Sequence, residues 1–209
     1  MINYIVYFDS NYKKQVILKG EYHMIGFFER NDFPLTEIKH FDLSSLSIQK
    51  LHFENRENVE NNPAYIQPIV IAAISNNQNY YLSMKKKRSS LSEHSPEKNT
   101  RLLYFGGHIS HLDLLPQCNN LLDIAHNTLK RELREELGIT VFNYTNQPFS
   151  IYNASKHVAF VFFISIENNY PFTFESTFET DSVRFHSIDE LYLLSHEFNE
   201  WSQVIIKHL

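Results

Sequence analysis

Apolar residues recur at Leu122, Ala125, Leu129, Leu133 and Leu137, three and four apart, and this spacing predicts one long amphipathic helix. Asn120 stands where an N-cap belongs, Asp123 favours the positive end of the helix dipole, and Gly138 is a natural stop. Elsewhere the pattern is that of strands. Residues 69–74 are a continuous apolar, largely β-branched run and 80–84 a mostly apolar one; Ser75-Asn76-Asn77 between them predicts a hairpin. Residues 101–105 read as a short strand ending in Gly106-Gly107, a pair that frees the backbone to turn sharply or to approach a ligand. Residues 139–142 and 157–166 read as further strands of the same sheet. Ser187-Ile188-Asp189-Glu190 is a capping box opening a short helix, and 197–208 predicts a closing helix around Trp201.

The N-terminal part has a different texture. Residues 2–8 and 15–18 are rich in Ile, Val, Tyr and Phe and are broken at Asp9-Ser10-Asn11, which reads as a strand pair, with 22–28 as a third strand. Residues 54–62, ENRENVENN, are charged and amide-rich, and Pro63 closes them, which marks a boundary or exposed linker. The expected organisation is a β-rich extension over 1–62 and a main domain over 63–209, of mixed α/β (α+β) class. Residues 85–100 read as a polar loop and 108–119 as an irregular connection.

Composition narrows the function classes. A chain of 209 residues with 43% hydrophobic and 21% charged residues is an ordinary globular protein. No apolar run approaches the roughly 18 residues that cross a bilayer, and residues 1–14 lack a basic segment followed by a long apolar one, so a cytoplasmic location with no membrane partner is expected. The single cysteine, Cys118, cannot form an intramolecular disulfide or a multi-cysteine zinc site and reads as a packing or loop residue. A net charge of −5 argues against stable nucleic-acid binding, which depends on neutralising many phosphates. Small anionic ligands remain open if a metal bridges them. The eleven histidines are scattered, not paired at metal-ligand spacing.

Glu132, Glu135 and Glu136 are spaced i, i+3 and i+4, so on the predicted helix they fall within about one third of the circumference. Glu136 lies in angular register between Ala125 and Leu129, at the edge of the apolar stripe. Clustered, partly buried carboxylates are unfavourable unless a cation neutralises them. Magnesium suits such a set, because it takes a few carboxylates and keeps open positions for waters and phosphate oxygens. Arg131 stands four residues before Glu135, within pairing reach. The same residues also suit a plain amphipathic helix held by Arg–Glu pairs, so the helix alone leaves both readings open.

Arg131-Glu132-Leu133-Arg134-Glu135-Glu136-Leu137-Gly138-Ile139 matches the second half of the Nudix box, Arg-Glu-U-x-Glu-Glu-x-Gly-U with U aliphatic, at every specified position. The chain thus resembles the Nudix hydrolases, and within them a subgroup described as predicted phosphoesterases. Glu60 to Ile69 (ENNPAYIQPI), Phe105-Gly106-Gly107-His108-Ile109 and Glu200-Trp201-Ser202 carry that second likeness. The resemblance implies the Nudix fold, a mixed β-sheet sandwiched between helices, here with an N-terminal extension. It also implies magnesium-dependent hydrolysis of a nucleoside diphosphate linked to another group, manganese being an alternative metal. Glu132 and Glu136 are then the principal metal ligands, Glu135 a further one, the Gly106 carbonyl a completing donor and Arg131 the residue that orients the glutamates. One departure stands out: the family pattern has five residues between its box glycine and a glutamate, whereas here fifteen residues separate Gly107 from Asp123, the acid in register with the helix.

Some roles stay open. A general base sits on the box helix or on a later loop, where Glu175 and Glu179 are candidates or simply solvated acids. Lys85-Lys86-Lys87-Arg88 either attracts phosphates or ends a hairpin, and Tyr104 or Tyr152 either stacks a base or packs in the core. The rival function is a non-catalytic Nudix-fold module that binds a nucleotide or a partner protein, against which the intact Arg-Glu-Leu-x-Glu-Glu argues. The aromatic-rich residues 1–53 could equally dock a partner, cover a sheet edge or form a homodimer contact.

Overall fold

The computed structural model describes residues 4–8, 14–18, 24–32, 47–90, 97–144, 148–152 and 156–209, with the backbone alone for 4–8, 14–18 and 149–152. Its strands are β1 (Tyr4–Phe8), β2 (Lys14–Leu18), β3 (Met24–Glu29), β4 (His52–Asn55), β5 (Tyr65–Asn76), β6 (Tyr81–Ser83), β7 (Phe105–His108), β8 (Asn143–Tyr144), β9 (Phe149–Tyr152), β10 (His157–Ile166) and β11 (Arg184–His186). The helices are α1 (Arg56–Asn61), α2 (Leu121–Leu137), α3 (Ile188–Leu193) and α4 (Glu200–Ile206).

β5 and β10 are nearly continuous apolar runs because both lie in the middle of the sheet with both faces covered. They pair in parallel from His157↔Gln67 to Ile166↔Asn76. The main path runs β11-β6-β5-β10-β8, with β7 and β3 also paired to β5, β4 to β3 and β9 to β10. Alternate side chains of β5 enter opposite cores. Val70, Ala72 and Ile74 meet Ile124, Ala125, Leu129, Leu133 and Leu137 of α2 on one face. Ile71 and Ala73 meet Leu191 of α3 and Ile205 and Ile206 of α4 on the other. The mixed sheet is therefore sandwiched between helices, as expected.

The local signals that were complete in sequence are found as written. α2 opens on Asn120, whose side chain accepts the Asp123 N–H, and ends at Gly138 in the left-handed region at φ 68°. Ser187 and Glu190 form their reciprocal box at α3. β10 spans the whole expected run, and β5 turns into β6 through Asn76–Asn79. β1 and β2 pair antiparallel; the turn residues 9–11 lie outside the described residues.

Other expectations are corrected. Residues 101–105 are not a strand ending at the glycines: Arg101 and Leu102 make only isolated bridges, and β7 begins at Phe105 and runs through Gly106 and Gly107 to His108. The glycines permit this close pairing, since a Cβ on Gly106 would stand 2.1 Å from the Val70 carbonyl oxygen, and Gly106 has φ 138°. Residues 139–142 form no strand; Ile139 is buried beneath the end of α2, and the two-residue β8 pairs with β10 instead. The supposed linker 54–62 holds the end of β4 and the whole of α1, capped by Asn55. Its one apolar residue, Val59, is fully buried with Ile25 and Phe27, and that single contact anchors an otherwise polar turn of helix. The closing helix is shorter than expected, because Asn199 caps α4 only after a separate 3-10 turn at Ser195–Glu197. β9 and β11 carried no clear period.

Candidate functional site

Arg131 is the hub of the site. Its Nε and Nη2 donate to the two oxygens of Asp113, both at 2.9 Å, and Nη2 also donates to the His108 carbonyl at 3.0 Å. Its Nη1 donates to Glu132 at 2.7 Å and to Glu135 at 3.2 Å. Burial opposes the guanidinium charge, but the hydrogen bonds it donates to Asp113 and the charges of Glu132, Asp113 and Glu135 outweigh it and raise its pKa. Such a fork matches carboxylates two at a time, which lysine cannot do.

Asp113 is the residue that sequence reading missed. It is 3% exposed, accepts the Ser110 N–H in a capping box and receives the Thr128 hydroxyl at 2.9 Å. Asp123, placed by sequence at the upstream acidic position, does something else: its carboxylate accepts the Asn119 N–H, and its own N–H donates to the Asn120 cap in the first turn of α2. The signal was present, since five residues separate Gly107 from Asp113, the spacing of the family pattern. The extra length therefore falls between Asp113 and α2.

Glu136 is 7% exposed, and one of its oxygens accepts the Gly106 N–H at 2.7 Å. Burial pushes its pKa up to about 8, with the Lys86 charge and the Gly106 hydrogen bond pulling the other way. Burial likewise raises Glu132, against the pull of Arg131. Gly107 faces Glu132 so closely that a Cβ there would lie 2.5 Å from its Oε1. Glu135 is the most exposed of the three. Among the described residues no three carboxylate, imidazole or thiolate groups converge as a ready ligand set, because Glu132 and Glu135 are turned toward Arg131. The chemistry of the donors nonetheless fits a hard divalent cation: they are all oxygens, and two of them, Glu132 and Glu136, stand in a desolvated place that disfavours their charge unless a cation is near.

These residues line a cavity of about 460 Å³ together with Gly106, Lys86, Glu97, Glu175, Tyr104 and Trp201. Of the basic run 85–88, only Lys86 reaches it. Its ammonium pairs with Glu97 at 3.2 Å and lies 5.7 Å over the Phe178 ring. Burial works against that charge, yet Glu97, Glu136 and Glu175 hold its pKa above the ordinary lysine value. Glu175 and Glu179 part company: Glu175 lines the cavity, while Glu179 faces a smaller pocket with Lys85 and Arg88. Tyr104 is buried, its hydroxyl held between Asn199 and Glu97, and the side chain of Tyr152 lies outside what the structure describes. Cys118 packs beside Asn127, as a structural cysteine does.

No protein-family model matches the chain, and no curated protein is found similar to it. Solved structures are. Tm1382, a proposed Nudix hydrolase, superposes with a TM-score of 0.61 at 18% identity, covering 89% of this chain and 100% of that one. DR0079 from Deinococcus radiodurans follows with a TM-score of 0.50 at 14% identity, covering 88% and 98%. At such identities the likeness speaks for architecture, and that architecture is the sheet between two helical layers described above. This chain has the Nudix fold.

Proposed function

We propose that the chain is a magnesium-dependent hydrolase, with manganese able to replace magnesium, that cleaves the diphosphate linkage of a nucleoside diphosphate joined to another group. The observation that carries this reading is the pairing of two carboxyl groups, the half-buried Glu132 and the buried Glu136, with the side-chain-free stretch Gly106-Gly107 at one wall of a cavity. Glu132, Glu135 and Glu136 would hold the metal, with the Gly106 carbonyl as a further donor. Bound metal lowers the pKa of water and neutralises diphosphate oxygens. Arg131, clamped by Asp113, fixes where Glu132 and Glu135 can reach. Lys86 places a cation beside the same acids, where a substrate phosphate would also sit. Glu175, which lines the cavity, would take a proton from the attacking water. The division at residue 62 belongs to the same proposal, with 63–209 as the catalytic unit.

The test is release of phosphomonoester products from a panel of nucleoside diphosphate derivatives, with and without magnesium, in native protein and Glu136→Gln. Magnesium-dependent turnover is expected, along with a rise in Tm on adding magnesium that corresponds to about 2.7 kcal/mol at one hundred times Kd. Glu136→Gln should remove both while leaving the metal-free Tm equal or higher, since it removes a carboxyl whose charged form burial disfavours and keeps the acceptor for Gly106. A folded native protein that binds a nucleotide and turns over nothing would instead be a binding module.

A further inference from the structure

The carboxylate end of the cavity recognises charge; the opposite end is built from rings and aliphatic side chains. Trp201 of α4, Tyr104, and Ile69 and Ile71 of β5 line it, on the sheet face away from α2. Trp201 is partly exposed and lines the cavity. Tyr104 supports it at 5.9 Å between centroids and His157 meets it edge-on at 6.2 Å. Tyr104 is itself fixed, taking a hydrogen bond from Asn199 at 2.7 Å and giving one to Glu97 at 3.2 Å. Trp201 is thus a braced flat surface, and ordering it on binding costs little side-chain entropy.

The two ends are joined across β7, where Gly106 and Gly107 raise no side chain between them. A cavity of about 460 Å³ also exceeds what a diphosphate alone fills and falls in the range of small-molecule sites. A ligand lying across β7 can keep its charged part beside Glu132 and Glu136 and bring a planar, apolar part onto the indole.

We infer that Trp201 is the platform on which the substrate's nucleobase stacks, a role that rests on the hydrolase reading proposed above. Arg56 of α1 lines the same cavity, its guanidinium paired with Glu60 at 2.7 Å, and adds a cation at the mouth. Stacking on a π-face tolerates any base, so the platform selects nucleotides over simple phosphoanhydrides without choosing strongly among bases.

Trp201 is the chain's one tryptophan, so its emission reports this position alone. ADP, GDP, CDP, UDP and inorganic pyrophosphate are titrated into native protein with magnesium while tryptophan fluorescence is followed. The nucleotides should quench it; pyrophosphate should compete with them and leave emission unchanged. In steady-state kinetics on the best substrate of the panel, Trp201→Leu should raise KM about 5- to 150-fold with little change in kcat, the range for loss of one base stack. Trp201→Phe should recover most of that loss, which separates stacking from a packing defect. Nucleotides bound and turned over without quenching, or Trp201→Leu with native KM, would overturn the platform and leave the hydrolase standing. Failure of nucleotides and pyrophosphate alike to bind would overturn both.

Discussion

Asp113 and Arg131 form a pair in which each is nearly enclosed, and both oxygens and three nitrogens are committed. Removing one partner of such a pair strands the other charge, which costs about 3–5 kcal/mol. Asp113→Ala should therefore lower the free energy of unfolding, measured by urea titration, by that much. It should also lower kcat, because Arg131 would no longer hold Glu132 and Glu135 in place. An Asp113→Ala chain with native stability would mean that Arg131 rests on Glu132 and Glu135 alone. The Nudix-box residues were legible in sequence because their spacing on one helix fixes their relative positions. Asp113 was not, because nothing local says that a residue in an irregular loop will fold back onto Arg131.

The last turn of α2 shows how an element positions a residue beyond itself. Helix ends leave carbonyls without intrahelical donors. Here the following loop supplies them: the Thr173 N–H donates to Leu137, and the Glu175 N–H donates to the Glu136 carbonyl at 2.8 Å. Glu175 is thereby tied to the main chain of a proposed metal ligand, while Glu179, four residues on, is tied to the Lys85 carbonyl. Glu175→Gln should lower kcat about 10²- to 10⁴-fold, the range for loss of a general base. The magnesium-induced rise in Tm should stay native, and Glu179→Gln should turn over normally. Equal activity in both variants would return the proton transfer to the box helix.

Across the molecule, burial lowers the pKa of three histidines among the described residues, and these lie far apart in the chain. His126 is held down by burial and then by Lys130, His157 by burial and then by Lys156, and His186 by burial and then by Arg101. A histidine depressed in the folded state stays neutral where the unfolded chain, with a pKa of about 6.5, already binds a proton. The unfolded state then holds more protons, so stability is full above about pH 6.5 and is lost as pH falls toward the folded values. His126 offers a clean test, since its Nε2 is buried against Tyr144 and Phe162 without a hydrogen-bond partner among the described residues. Urea unfolding from pH 7.5 to 5.5 in metal-free buffer should show a shallower fall in stability for His126→Gln than for the native chain. Identical slopes would mean that this ring takes its proton as readily folded as unfolded. The described residues include no helix long and apolar enough to cross a membrane.

Sequence by itself determined what one element can encode: α2 with both caps, the facing trio Glu132, Glu135 and Glu136, the α3 box, and the apolar runs of β5 and β10. These rest on interactions within a few residues, so periodicity reveals them. Only tertiary structure decided where the chain's remote parts meet. It carried β7 through the glycines because β5 lies alongside, made a helix of residues 56–61 around the buried Val59, and chose Asp113 over Asp123 for Arg131. It also chose Glu175 over Glu179 for the cavity and set Trp201 at its far end. Those choices depend on contacts between residues tens of positions apart, which leave no local period to read.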